Sequence, residues 1–385
     1  MESITAGSYC RALLVILVAT TMVACAGGQA RDGSATTAAT STAHAAPAPE
    51  AAAVSCDSGN LSDPDDPCII TTVEQLQAID DEPQGHYALG SAIDASATAQ
   101  WNDGEGFQPI RGFAGTFDGR GNTISNLYID RPDEWDIGLF ANTEEGSEVR
   151  NVALAEAQVV AHSSAGTLVG VQHGLVTDAH VHGKVSGGDS VGGLSGVVRA
   201  TGSIVRSSSR GEIDASGTNI GGLVGYSMGE IDSSYSLAAV TGRTDIGGLA
   251  GRSGGAVRNS YSLPESAHSD VALTSTLSDS SGIAALIGYL ETGATVDGSY
   301  AVSFQGSTPV TDFTGHRLIA GGDDEHIASS YWGGNQRKYD YIPGEHRSVD
   351  EMKLAATYEE WDFDSVWSID EGEDYPDLVS NPRNR

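Results

Sequence analysis

The chain is expected to fold as an all-β, right-handed parallel β-helix closed by short helical caps. Three observations predict this. A glycine–leucine motif recurs every 26 or 29 residues, short runs between its copies alternate apolar and polar residues, and the composition is rich in glycine (49 of 385 residues) and poor in aromatics (6%). Such a chain cannot fill a wide core with bulky side chains. It can fill a narrow one with Val, Ile, Leu and Ala.

The N-terminus reads as an address. Arg11 supplies a positive flank and residues 12–19 an apolar stretch, too short for the roughly 20 apolar residues of a membrane span. Residues 1–25 are therefore expected to be a signal peptide. It ends in Met22-Val23-Ala24-Cys25, which resembles a bacterial lipobox. That resemblance implies that Cys25 is acylated and becomes the mature N-terminus, so that the membrane is a partner through the lipid. Met22 stands where Leu is usual, and ordinary cleavage without lipid is the alternative. Ala26 follows where Asp would signal inner-membrane retention, so the resemblance points to the outer membrane or cell surface. Residues 26–54 are Ala, Thr, Ser, Gly and Pro with almost no large apolar residue. They cannot bury enough surface to offset ordering and are expected to form a flexible tether.

The body is expected over 55–335, with its own N-terminal cap, and a C-terminal cap over 336–385. Cys56 and Cys68 enclose a short acidic loop and are expected to pair in an oxidising compartment. Such a link contributes about 3 kcal/mol by restricting the unfolded chain. Thr71 and Glu74 form a capping-box pattern ahead of Leu76 and Ile79, which predicts a short helix over the open end of the solenoid. Residues 351–358 predict a second short helix, and Trp361, Phe363 and Trp367 are large enough to plug the C-terminal end.

Between the caps lie the repeats. Ala165-Gly166-Thr167-Leu168-Val169-Gly170 is followed by Val191-Gly192-Gly193-Leu194-Ser195-Gly196. Ile220-Gly221-Gly222-Leu223-Val224-Gly225 and Ile246-Gly247-Gly248-Leu249-Ala250-Gly251 come next. Ile137-Gly138-Leu139-Phe140 is an earlier relative and Ala284-Ala285-Leu286-Ile287-Gly288 a weaker copy. The leucines from Leu139 to Leu249 are spaced 29, 26, 29 and 26 residues apart, a period typical of stacked supersecondary units. Each unit carries two more runs, as in Ile231–Ser236 and Ala239–Gly242. Three short strands per unit predict one triangular coil, with coils about 4.8 Å apart and glycines at corners that need positive φ. A propeller-like repeat fold is the alternative, but its blades need four longer strands.

These residues resemble the GLUG motif of bacterial surface and adhesin-like proteins, which also occurs in accessory regions of IgA-cleaving metallopeptidases. Phe113-Ala114-Gly115-Thr116-Phe117-Asp118-Gly119 resembles the family's opening coil. Trp367-Ser368-Ile369-Asp370, with Tyr375-Pro376-Asp377-Leu378, resembles a common ending. The resemblance implies a β-helix in adhesin-like company and names no ligand.

Charge limits the partners. With 52 acidic and 20 basic residues the formal charge is −32, which excludes general nucleic-acid binding because phosphate contacts need Lys and Arg. High acidity with only Lys184, Lys338 and Lys353 as lysines fits a salt-adapted exported protein, or plain solubility of an extracellular chain.

No nucleophile elbow, zinc helix or phosphate loop stands in the sequence. His180, His182 and Lys184 are expected on one outward strand face, with His162, His173 and Asp178 nearby. That group is the best metal candidate, although such a stripe is more often solvated surface. Asp63, Asp65 and Asp66, Asp94 with Asp103 and Glu105, and Asp323, Asp324 and Glu325 invite a structural calcium reading, without an EF-hand layout. Neither catalytic nor cofactor-binding residues are assigned. The expected function is binding, adhesion or surface architecture toward an extracellular glycan or protein rather than catalysis. A lyase or glycosidase acting on polysaccharide is the alternative. It would need a concave cleft with converging carboxylates of raised pKa, or a carboxylate–Lys/Arg group, and none is expected on the coils from 137 to 290, whose exposed positions are small and polar. Tyr235 and Tyr261 are expected to stack as one ladder, with Tyr226 as a further outward aromatic.

Overall fold

The computed structural model describes residues 55–263, 273–275, 282–302, 318–322, 326–333, 344–381 and 383. They form an all-β solenoid of about eight turns. Every ladder between coils is parallel among these residues, as in Ile220↔Ile246, Val224↔Ala250 and Tyr235↔Tyr261. Parallel stacking rules out the propeller arrangement, whose blades are antiparallel.

One coil shows how residues make the turn. Its strands are Thr218–Gly221, Val224–Ser227, Glu230–Asp232, Tyr235–Ser236 and Ala239–Gly242. That is five short strands where the sequence predicts three, because two expected strands are bent. The run Ile220–Gly225 passes from one sheet to another at Gly222 and Leu223. The run Ile231–Ser236 breaks at Ser233, which has φ 49°.

The core is a set of aliphatic ladders. Val176, Ile204, Ile231, Val257, Val296 and Ile327 follow one another in register. The motif leucines form a second ladder through backbone hydrogen bonds, Leu194 to Leu223, Leu223 to Leu249 and Leu249 to Leu286, and it continues to Leu318. All but the half-buried Ile327 are fully buried, each worth about 1.5–3 kcal/mol relative to exposure.

The motif glycines are needed for closeness, not for positive φ as the sequence suggests. A Cβ on Gly221 would sit 2.0 Å from the Val224 carbonyl oxygen, and one on Gly225 would sit 2.4 Å from the Ser190 carbonyl carbon. Left-handed corners fall instead on two vertical rows. One is Asn151, Asp178, Arg206, Ser233, Asn259, Gly298 and Ser329, and the other Asp136, Ser164, Ser190, Asn219, Asp245 and Gly282. Most of these are short polar residues, which tolerate this conformation best after glycine.

A serine follows each bend of the first row from Arg206 onward. Ser234 Oγ accepts the Ser207 amide at 3.0 Å and donates to the Asp232 carbonyl at 2.8 Å. Ser260, Ser299 and Ser330 repeat this. The bend turns these buried amides away from the strand ladder, and the hydroxyls satisfy them.

At the N-terminal end Cys56 and Cys68 are disulfide-bonded, with Cα atoms 5.1 Å apart. The capping helix spans Val73–Ala78, and its box is Thr72 with Gln75, one residue later than Thr71 with Glu74. Burial of Val73 and Leu76 sets the helix register, and the Thr71 hydroxyl is engaged by Asp57 at 2.6 Å.

The C-terminal segment departs from the expected plug. Glu345–Arg347 adds a last rung beside Tyr331–Gly333. The expected helix is two 3-10 turns, Glu351–Lys353 and Ala355–Thr357, separated by an extended Leu354. Trp361, Phe363 and Trp367 pack in a cluster separate from the inner core, against outward-facing tyrosines on the side of the solenoid. Trp332 is the large residue in the inner core there.

Candidate functional site

The site is best seen along one outward column. Ala153, His180, Ser208, Tyr235, Tyr261, Tyr300 and Tyr331 occupy equivalent positions on successive coils. Tyr235, Tyr261 and Tyr300 stack with centroids 4.8 and 5.0 Å apart, so the tyrosine ladder exists and is longer than the two residues expected. The C-terminal segment runs along it toward the N-terminal coils. Trp361 Nε1 donates to the Ser329 carbonyl, Tyr300 Oη to the Pro376 carbonyl, and Tyr261 Oη to Asp377 Oδ1. Asn381 Nδ2 then reaches the Ser207 and Ser233 carbonyls at 3.3 and 3.4 Å. Burial under this brace raises the Tyr261 and Tyr300 phenols well above the ordinary tyrosine range.

Where the brace reaches Asn381 the column changes from tyrosine to serine, histidine and alanine. The smaller side chains leave a recess of about 370 Å³, lined by His180, His182, Ser208, Arg210, Tyr235 and Asn381 among others. His180 Nδ1 lies 2.9 Å from Ser208 Oγ. Solvent reaches the ring, yet protein crowds its flanks. This desolvation lowers its pKa; Asp178 opposes the shift and Arg210 adds to it. The shift favours the neutral imidazole.

The other residues of the histidine stripe and its neighbourhood are dispersed into separate pairs. His182 Nδ1 faces Glu156 at 3.3 Å, Lys184 bonds Glu212 at 2.7 Å, and Asp178 bonds Arg206 at 2.6 Å. His162 packs at a tilt against Trp135, and His173 is tied through its backbone to Thr143 and Thr201. Among the described residues no group of three His, Cys, Asp or Glu side chains could hold a metal ion. Asp63 and Asp94 accept local amides from Asp65 and Ser96, and Glu105 pairs with Arg131. Asp323, Asp324, Glu325, Cys25, the signal peptide and the tether lie outside the described residues. Sequence reasoning found the histidine stripe and missed Ser208, Arg210 and Asn381. The 26- and 29-residue periods place the partner of His180 between Arg206 and Ser209, and the strand register fixes it as Ser208.

Carboxylate–Lys/Arg pairs do occur on the coils from 137 to 290, as partly exposed pairs between neighbouring coils. Asp178–Arg206, Lys184–Glu212 and Glu230–Arg258 all lie there, and Arg252 pairs with Glu291 at the boundary. Charges that look isolated in sequence meet because they occupy neighbouring coils.

No family model matches the chain. A stretch of 173 residues is 38% identical to Halomucin of Haloquadratum walsbyi, covering 42% of this chain and 2% of that protein. The chain thus spans a small fraction of that relative's length. Among solved structures it is similar to a proposed immunoglobulin A1 protease from Bacteroides ovatus. The TM-score is 0.54 at 17% identity, over 84% of this chain and 95% of that one. It is also similar to an IgA1 protease, with a TM-score of 0.49 at 17% identity, over 73% of this chain and 23% of the other. The first likeness shows the shared fold. That first neighbour carries the name of an enzyme, which speaks against the expectation that the chain is no enzyme. Among the described residues no helix is long and apolar enough to cross a membrane.

Proposed function

We propose that the chain is a cell-surface β-helix of the GLUG type that holds an extended polypeptide partner in the open end of its tyrosine track. The observation that carries this reading is the change within one column. Tyr331 to Tyr235 lie along the chain's own brace, whereas Ser208, His180 and Ala153 continue the track into the recess. The brace indicates the kind of occupant: an extended segment bonded through carbonyls and one amide side chain. The lipobox at Cys25, the tether over 26–54 and the likeness to Halomucin support display at the surface, with adhesion or surface architecture as the role. Ser208→Tyr would extend the ladder by one rung into the recess. On a peptide array the full exported protein should retain peptides that this variant does not. Equal retention by both would sink the reading.

One observation favours a second, hydrolytic reading. Ser208 Oγ and His180 Nδ1 stand at nucleophile–base distance in a recess that also holds Arg210. A fluorophosphonate probe should then label Ser208 in the wild type and not in Ser208→Ala. Absence of label on the wild type would end this reading.

A further inference from the structure

Trp135 is the outlier among the aromatics. The chain has five tryptophans. Trp101, Trp332 and Trp367 are buried, Trp361 is half-buried, and Trp135 is 60% exposed. Nor does it stand on a loose loop. The strand Tyr128–Ile137 pairs with Glu148–Ala165 in register to Arg131↔Ala161 and resumes at Trp135↔Ser163. Pro132, Asp133 and Glu134 therefore stand opposite the single residue His162. A bulge of this kind re-aims the side chain that follows it.

The bulge is pinned from beneath. Arg131 is buried and bonds Glu134 at 2.6 Å and Glu105 at 3.3 Å. Arg111 holds the same Glu134 at 3.1 Å. The indole is thus presented outward from a fixed backbone, with its centroid 4.6 Å from that of the exposed His162 ring.

The neighbouring coils keep the ground beside this pair low. The Gly188 amide donates to the His162 carbonyl, and the Ser216 amide to the Gly187 carbonyl one coil further on. Glycine and serine thus follow histidine, leaving a flat floor about 10 Å long at one coil per ~4.8 Å. Asp189 stands beside it with Oδ1 fixed by the Thr218 amide at 2.7 Å.

We infer that Trp135 and His162, with the Gly188–Ser216 floor and the Asp189 carboxylate, form a binding site for an uncharged hexopyranose-containing oligosaccharide. The apolar face of a pyranose stacks on indole, and its hydroxyls suit a fixed carboxylate and exposed backbone. Charge selects against the alternatives, since a net −32 repels uronate and sulfate polymers. A protein interface would need a contiguous apolar patch. Among the described residues the other exposed large hydrophobics are Leu354 and Val379, far along the chain from Trp135. This inference stands on different residues from the peptide recess and goes beyond that reading.

The test is titration of the full exported protein with neutral hexa-oligosaccharides of glucose, mannose and N-acetylglucosamine, alongside polygalacturonate. Tryptophan emission is followed, with Trp135→Phe subtracted to isolate the exposed indole. At least one neutral sugar should shift the Trp135 emission and shield it from acrylamide, with no response to polygalacturonate. Trp135→Ala should bind about tenfold more weakly, the scale of one lost aromatic contact. Any of four results would overturn the site: no neutral sugar moving the emission, undiminished binding by Trp135→Ala, preference for the polyanion, or an indole already shielded without sugar by another segment or a second copy. Peptide retention sensitive to Ser208→Tyr is read separately, so failure here leaves the recess reading untouched.

Discussion

The C-terminal and N-terminal coils share one column and use it differently. From Tyr235 to Tyr331 the column carries buried phenols; Tyr261 and Tyr300 donate to the brace, and Tyr331 accepts the Glu359 amide. From Ser208 back to Ala153 it carries small or polar groups and borders an open recess. The inner ladders are continuous through both halves, so the scaffold does not distinguish them. One side chain per coil, repeated in register, decides whether a face becomes a seam or a site.

The largest expected effect breaks the seam. Tyr300 is fully buried, stacks on Tyr261 and meets Trp361 and Trp367. Tyr300→Ala should lose about 3–5 kcal/mol, the cost of truncating a large buried aromatic. Ser208→Ala, in the same column, should lose less than about 1 kcal/mol, since its hydroxyl faces an accessible histidine. Urea denaturation of both variants measures the contrast. Equal losses would mean that the two halves of the column are energetically alike.

A middle-sized effect separates the bends from the strands. Ser234→Ala removes the acceptor of the buried Ser207 amide and should cost about 1–3 kcal/mol, the penalty for stranding a buried donor. Asp214→Ala, on an exposed strand position, should stay within about 0.5 kcal/mol. Amide exchange should quicken at Ser207 in the first variant. An unchanged rate there would mean that water replaces the hydroxyl.

The halves also differed in how readable they were. The solenoid was legible because its signal repeats: a leucine every 26 or 29 residues fixes period and inward face at once. The disulfide was legible from compartment and a short loop. The brace was not, because Asp377 meets Tyr261 across 116 residues and the tail carries no repeat, so its tryptophans read as an end plug. Arg206 gave no hint of a left-handed bend, since arginine is a poor former of that conformation and stacking imposes it. The recess was half legible. The alternation of His180, Val181 and His182 shows an outward face, but the partners come from the next coil and from the tail. Trp135 carries no signal in the sequence, because the bulge that exposes it appears only when two strands are aligned.

The smallest effect concerns the charged pairs that climb the outside, and its sign follows from the Asp178 carboxyl. The hydrogen bond from Arg206 lowers the Asp178 pKa below the usual carboxylate value, with burial working against it and Thr177 assisting. In the unfolded chain the pKa returns to about 3.9. Between the two values the unfolded state binds more protons than the folded one, so stability falls as pH falls through that window and is fully present above it. Both side chains are about a third exposed, which limits the contribution to less than about 1 kcal/mol. Arg206→Ala should therefore leave stability near pH 7 lower by that small amount and flatten its decline below pH 4. A variant as acid-sensitive as the wild type would assign the acid response to other carboxylates, of which Asp118, raised by its burial but held low in sum by the Arg120 amide, Asn151 and Arg150, is the next to test.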